Sequence, residues 1–327
     1  MSTLYYQSEV VQIQPTGANP TAYIPMLQSA GISFNVNRTT NSSLGKFGPS
    51  KYRQANQWPV VNFNVEYIPT GSNVEEALGL MGPNSVVDHL VLGAGGYMMN
   101  DYRMQIKDLD SNGANGERGT YNLKSGVLTN YSFQAAVGQT PKASFSIECL
   151  DMGFDADEVF YEPPVDEDLA ILRPQDMDVT LPTGIVGVGD AHLQSFNITI
   201  PLSRKSAYKI GSAKPVRRDV NSPVIATIQM NALLEEVSSS ENVNGDSLDF
   251  KQLVQGKPMD DDIIIKAKVP TQDGSDGGDI ITYSVSSPYL DNYNISNSVG
   301  GYTSVDLQFS VPVTFERGSG DGNLTIY

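Results

Sequence analysis

Two stretches of this chain, YNLKSGVLTNYSFQAAVG from Tyr121 to Gly138 and YSVSSPYLDNYNISNSVG from Tyr283 to Gly300, begin with Tyr, hold an Asn-Tyr pair at the same offset and close on Val-Gly. An internal repeat constrains a fold more than any single motif, because each copy must be one structural unit. The match extends in order along the chain. LQSAGISFNVNR (Leu27 to Arg38) meets LQSFNITIPLSR (Leu193 to Arg204), and KFGPSK (Lys46 to Lys51) meets KIGSAK (Lys209 to Lys214). WPVVNFNVEYI from Trp58 meets SPVIATIQMNA from Ser222, and a Pro-Thr-Gly recurs at Pro15 and Pro182. One such block arises by chance between β-rich segments; five in one order indicate a tandem duplication.

Each copy reads the same way. A strand alternates apolar and polar residues, as in ISFNVN and FNITIPL, which is the period of a half-buried strand. A long polar loop with Gly and Lys follows. A second alternating strand starts just after Pro59 or Pro223, and proline is tolerated at a strand's first position. One short helix per copy comes next: SNVEEALGLMG, with a Ser or Asn cap, Glu75 and Glu76 in the first turn and Gly82 closing it, and SLDFKQLVQG, closed by Gly256. A hairpin carrying the Asn-Tyr phrase ends each copy. Thirty glycines and nineteen prolines punctuate short apolar runs, which favours strands and turns over long helices. The expected fold is therefore mainly β, two tandem sandwich or barrel domains each flanked by one short α-helix. The first occupies residues 1–150 with an N-terminal arm, an acidic linker or arm covers 151–180, and the second domain covers 181–327.

Function classes narrow next. The formal charge of −16 keeps a chain soluble and opposes tight wrapping of nucleic acid. Cys149 is the sole cysteine, so no intramolecular disulfide forms, and its place in the alternating run ASFSIECLD marks a buried inert thiol. The first residues, MSTLYYQSEVVQIQPTG, lack a basic region followed by an apolar stretch, so no signal peptide is expected and synthesis in a cytoplasm is. No window has the apolar length of a membrane span.

The catalytic inventory is thin. His89 and His192 stand far apart with no metal-ligand spacing, and neither a nucleophile elbow nor a phosphate-binding Gly-Lys-Ser/Thr loop is present. No enzyme and no cofactor are expected. DLDSNGANGERG begins like a calcium loop with Asp108, Asp110 and Asn112, but Gly119 stands where the closing Glu belongs. A solvated hairpin tip explains it better. Basic residues gather in the long loops: Arg38, Lys46, Lys51 and Arg53 in the first copy, Arg204, Lys205, Lys209, Lys214, Arg217 and Arg218 in the second. On an acidic chain such loops suit acidic surfaces of neighbouring subunits, or stand as solvated loops.

With these residues in view, the chain resembles a bacteriophage tail tube (major tail) protein with a duplicated tube domain. That family shows an early V-x-S-I/F-S-F stretch, a long loop with Gly and basic residues, a strand entered after proline, one helix and a hairpin. Leu27 to Arg38, Lys46 to Tyr52, Pro59 to Ile68 and the Asn-Tyr strand carry the likeness here, once per copy. The resemblance implies a structural virion protein assembled in the host cytoplasm, with no membrane binding. It implies three chains closing a pseudo-hexameric ring, rings stacking through the long loops, contacts with other tail proteins, and DNA passing through an acidic lumen. A baseplate hub or tail-end ring protein, or a tandem β-sandwich binding or decoration module, is the alternative reading.

Overall fold

The computed structural model describes residues 6–15, 22–24, 26–36, 38–39, 54–55, 58–82, 100–108, 118–155, 171–182, 192–233, 258–259, 261–269, 278–297, 303–313 and 323–327. The first copy contains β1 (Tyr6–Pro15), β2 (Ala22–Tyr23), β3 (Leu27–Asn35), β4 (Arg38–Thr39), β5 (Gln54–Ala55) and β6 (Val60–Tyr67). The helix α1 (Asn73–Ala77) follows, then β7 (Asn100–Asp108), β8 (Arg118–Ala136), β9 (Gln139–Cys149) and β10 (Asp151–Asp155). The second copy contains β11 (Met177–Thr180), β12 (His192–Pro201), β13 (Arg204–Ala207), β14 (Arg217–Val220) and β15 (Ile225–Leu233). It ends with β16 (Ile263–Lys268), β17 (Asp279–Val285), β18 (Tyr289–Ser296), β19 (Ser304–Pro312) and β20 (Leu324–Ile326). The mainly β expectation holds.

The duplication is visible in strand order. In the first copy β1, β7, the first half of β8 and β10 pair in that order, while β3, β6, β9 and the second half of β8 form the other layer. In the second copy β11, β16, β17 and β20 repeat the first layer, and β12, β15, β19 and β18 repeat the second. Every pairing is antiparallel, and each layer buries alternate residues: Val61, Phe63, Val65 and Tyr67 on β6, Ala226, Ile228, Met230 and Ala232 on β15. The two layers of each copy enclose apolar side chains, and these run together into one core cluster across both copies. Phe133 of β8 joins them, stacked on Tyr283 of β17 at 5.2 Å and tilted against Phe196 of β12 at 5.6 Å.

The repeated phrase contains the corner of each sandwich. Ser125 (φ 54°) and Ser287 (φ 53°) hold the same place in the two copies and are the described non-glycine residues with positive φ. Each lies where the chain leaves one layer and enters the other; in β8 the strand bends through it, and in the second copy the gap between β17 and β18 contains it. The Ser125 N–H donates to Asp101 Oδ1 at 2.9 Å. Beside it, a side chain on Gly126 would meet Ile147 and Tyr102 carbons at 2.7 Å, so the corner has room only for glycine. A β-branched residue in left-handed backbone costs about 1–2 kcal/mol. Ser287→Gly is therefore expected to leave the urea midpoint unchanged or raised, and Ser287→Val to lower it by the equivalent of that cost. The Val137-Gly138 turn closes the first hairpin, with Gly138 at φ 77°.

Two details differ from the sequence expectations. The helix α1 is five residues long, Ser72 makes no side-chain cap bond, and Gly79 (φ 74°) rather than Gly82 first reverses the chain after it. The acidic linker supplies strands at both described ends, β10 to the first copy and β11 to the second, with a short 3-10 turn at Pro174–Asp176 before β11. The second helix, SLDFKQLVQG, lies outside the described residues, as does 156–170.

Candidate functional site

The feature that stands out is the joint between copies. The second half of β8 pairs with β12, from Ser195↔Ala136 to Pro201↔Asn130. The strands β3, β6, β9, β8, β12, β15, β19 and β18 thereby form a single eight-stranded sheet across both copies. Main-chain bonds extend the joint at its ends, Val137 N–H to Gln194 O at 2.8 Å and Leu202 N–H to Thr129 O at 2.9 Å.

The outward face of this sheet is polar but sparsely charged. Asn62, Asn64, Ser144, Ser146, Ser132, Gln134, Asn197, Thr199, Thr227, Gln229 and Gln308 alternate with the buried positions. Glu66, Lys142, Glu148 and Asp306 are the charged residues at such positions on β6, β9 and β19, and each is engaged. Lys142 Nζ lies 2.6 Å from Glu66, Glu148 faces Arg218, and the Asn231 amide donates to Asp306 at 2.6 Å. Over β8, β12, β15 and β19 the face is hollowed by about 420 Å³, lined by Gln134, Ser195, Asn197, Gln229, Asn231 and Gln308 among others. An acidic lining is thus not what this face offers. Amide and hydroxyl groups dominate it, and its few carboxylates already have partners.

The second copy's long loop is a hairpin, β13–β14, that reaches back over the first copy. Trp58 N–H donates to Ala213 O at 3.1 Å, and Lys214 Nζ lies 4.5 Å above the Trp58 ring and 3.4 Å from Asp151. Arg218 is buried, donates to the Glu148 carbonyl oxygen at 2.8 Å and faces the Glu148 carboxylate at 3.4 Å. Burial lowers its pKa, and the Glu148 carboxylate opposes that shift. Removing hydrogen bonds to a charged group costs about 1.5–3 kcal/mol. Arg218→Met is expected to release the hairpin and expose residues 204–220 to limited proteolysis at rates well above those of the wild-type protein.

The loop residues expected to make contacts thus divide. Lys214 and Arg218 are held within the chain, and Arg217 pairs with Asp219 at 2.7 Å. Arg38, Lys205 and Lys209 are exposed, and Arg204 is half-buried. Lys46, Lys51 and Arg53 lie outside the described residues. Sequence reading missed the apolar part of the hairpin: Ile210 is fully exposed at its tip, flanked by exposed Tyr208 and Val216. The alignment of KIGSAK with KFGPSK contained that signal, since an apolar residue follows the lysine in both copies.

A buried polar cluster lies beneath the joint. Tyr67 donates to Glu75 Oε1 at 2.6 Å, Tyr131 reaches the same oxygen at 3.0 Å, and Tyr131 and Tyr283 hydroxyls are 2.7 Å apart. Glu75 is fully buried, and its Oε2 has no hydrogen-bond partner among the described residues. Burial raises its pKa, against the lowering effect of the tyrosine bonds. Burial likewise pushes the Cys149 thiol up to about 12, which matches the inert thiol expected from sequence. His192 is exposed at the start of β12, and His89, Asp110 and Asn112 lie outside the described residues. Asp108 ends β7. Among the described residues no group of three His, Cys, Asp or Glu side chains is placed to hold a metal ion, and no helix is long and apolar enough to cross a membrane.

No family model matches this sequence, and no curated protein matches it. Among solved structures, the cryo-EM structure of the anti-feeding prophage (AFP) baseplate, 6-fold symmetrised, is similar over 49% of this chain and 100% of its own, at 13% identity and a TM-score of 0.31.

Proposed function

We propose that this chain is a non-catalytic structural protein of a virion tail, a tube subunit whose two copies stand as neighbouring sectors of a ring. The observation that carries this reading is the eight-stranded sheet that crosses the joint between copies. Strand pairing there is continuous, so two equivalent units lie side by side like staves of one wall. Three chains then give six sectors, and rings stack into a hollow tube in contact with other tail proteins.

The hollowed face suits the inside of that wall. DNA carries one negative charge per roughly 1.7 Å of axis, and any run of unpaired cations on the wall would hold it. A face of amides and hydroxyls, with its lysine already paired to Glu66, lets a duplex pass without ion pairing. The exposed hairpin tip at Ile210 suits contact with the next ring.

Electron microscopy of the purified protein tests this reading. Hollow tubes of stacked rings are the expected result. Particles that remain single chains at every concentration would overturn it.

A further inference from the structure

The joint between copies is also a template for a joint between chains. In the second layer, β3 of the first copy corresponds to β12 of the second, and the second half of β8 corresponds to β18. Inside the chain, β8 and β12 are paired with each other. Their counterparts β18 and β3 end the eight-stranded sheet, and each pairs on one side only among the described strands.

Both edges lack the features that normally discourage pairing with another chain, which are charges, prolines and short length. The β3 sequence, LQSAGISFN, has nine residues and neither a charge nor a proline. On β18 the one charge, Asp291, sits at a register shift. Each edge also leaves an apolar residue uncovered on its core-facing side. Phe34 is 58% exposed and Ile295 is 53% exposed, whereas their counterparts at the internal joint, Ile200 and Phe133, are fully buried. The same positions are sealed where a neighbour is present and open where none is.

We infer that β3 of one chain pairs antiparallel with β18 of a second copy of the chain, in the register of the internal β8–β12 joint. Carrying that register across the repeat places Ser33 opposite Asn294, as Thr199 is opposite Ser132, and Phe34 opposite Tyr293, as Ile200 is opposite Tyr131. The contact is head to tail, so it propagates until a ring closes or a filament grows. It rests on the proposed function only for the closure into a ring; the pairing itself stands on the repeated topology.

Cysteines test the register. Directly opposed cross-strand Cβ atoms lie about 4.5–5.5 Å apart, close enough for oxidation to a disulfide. The double variant Ser33→Cys/Asn294→Cys, oxidised under assembling conditions, is expected to give a covalent ladder of dimers, trimers and higher species, in yields about tenfold above those of a Ser33→Cys/Ser296→Cys pair that is out of register. Both positions are exposed in the single chain, and native Cys149 is buried. Either single variant is expected to stay monomeric on a non-reducing gel. A Ser33→Cys single variant that dimerises as well as the double one would show β3 paired with itself and overturn the inference, as would a double variant that never cross-links while it assembles. As a second test, Phe34→Lys is expected to abolish assembly without lowering the thermal midpoint of the monomer; normal assembly of that variant would contradict the pairing. Covalent ladders without tubes would uphold this joint and overturn the tail tube, whereas tubes without ladders would do the reverse.

Discussion

Glu75→Gln is expected to leave the protein at least as stable as the wild type at pH 7, while Glu75→Leu destabilises it by several kcal/mol. The glutamine keeps an oxygen for the Tyr67 and Tyr131 hydroxyls, which lie 2.6 and 3.0 Å from Glu75 Oε1. The leucine leaves those buried phenols without an acceptor, at about 1–3 kcal/mol each. The pH dependence has a definite sign. Burial raises the carboxyl's pKa in the native state, above the unfolded value of about 4.3. Between the two values the native chain holds a proton that the unfolded chain has released. The stabilisation is therefore complete below the unfolded pKa and is lost as pH rises through the native one. Urea midpoints measured from pH 4 to 9 should fall across that window for the wild type, with this component absent in Glu75→Gln. Identical profiles for the two proteins would mean that Glu75 is not buried as a proton-bearing acid.

Phe133→Ala is expected to be comparably damaging, at about 3–5 kcal/mol, the cost of removing a buried phenylalanine side chain. Phe133 contacts Tyr283 and Phe196, both from the second copy, although it belongs to the first. If the two copies share one core, the variant should unfold in a single transition at lower denaturant, with fluorescence and circular dichroism coinciding. Two transitions, of which only one moves, would show two independent cores.

That shared core was not legible in the sequence. The repeat and the alternation of its strands were, because they follow from local periods of two and from residue matches at fixed spacing. A duplication says that two units are alike and nothing about which edges meet. The β8–β12 pairing depends on register between segments about sixty residues apart, measured from Ala136 to Ser195, and no local pattern encodes that. The surroundings of Glu75 were hidden for a related reason. Its first-turn position fits the helix start, but the short α1 turns it towards three tyrosines that lie near it only in the folded chain.

The basic loops show the same limit. Clustered Lys and Arg in 204–218 read alike in the sequence, but the fold divides them: Lys205 and Lys209 are exposed, whereas Arg218 and Lys214 are held by Glu148, Trp58 and Asp151 of the first copy. Net charge likewise carries no information about where the charges fall: the hollowed face of this acidic chain is mostly amide and hydroxyl. The positive φ of Ser125 and Ser287 had no sequence signal at all, since serine does not announce left-handed backbone as glycine does.

The repeated Asn-Tyr phrase now has two roles. In the first copy it lines the internal joint, with Tyr131 fully buried and bonded to Tyr283. In the second it lies on β18, the strand that ends the sheet. If one chain supplies two adjacent sectors of a ring, as proposed, the smallest closed assembly holds three chains. Native mass spectrometry should find a species of three 35.4 kDa chains, and classification of end-on particles should find six similar sectors in it. A closed ring of six chains, or a chain that never associates, would contradict the claim.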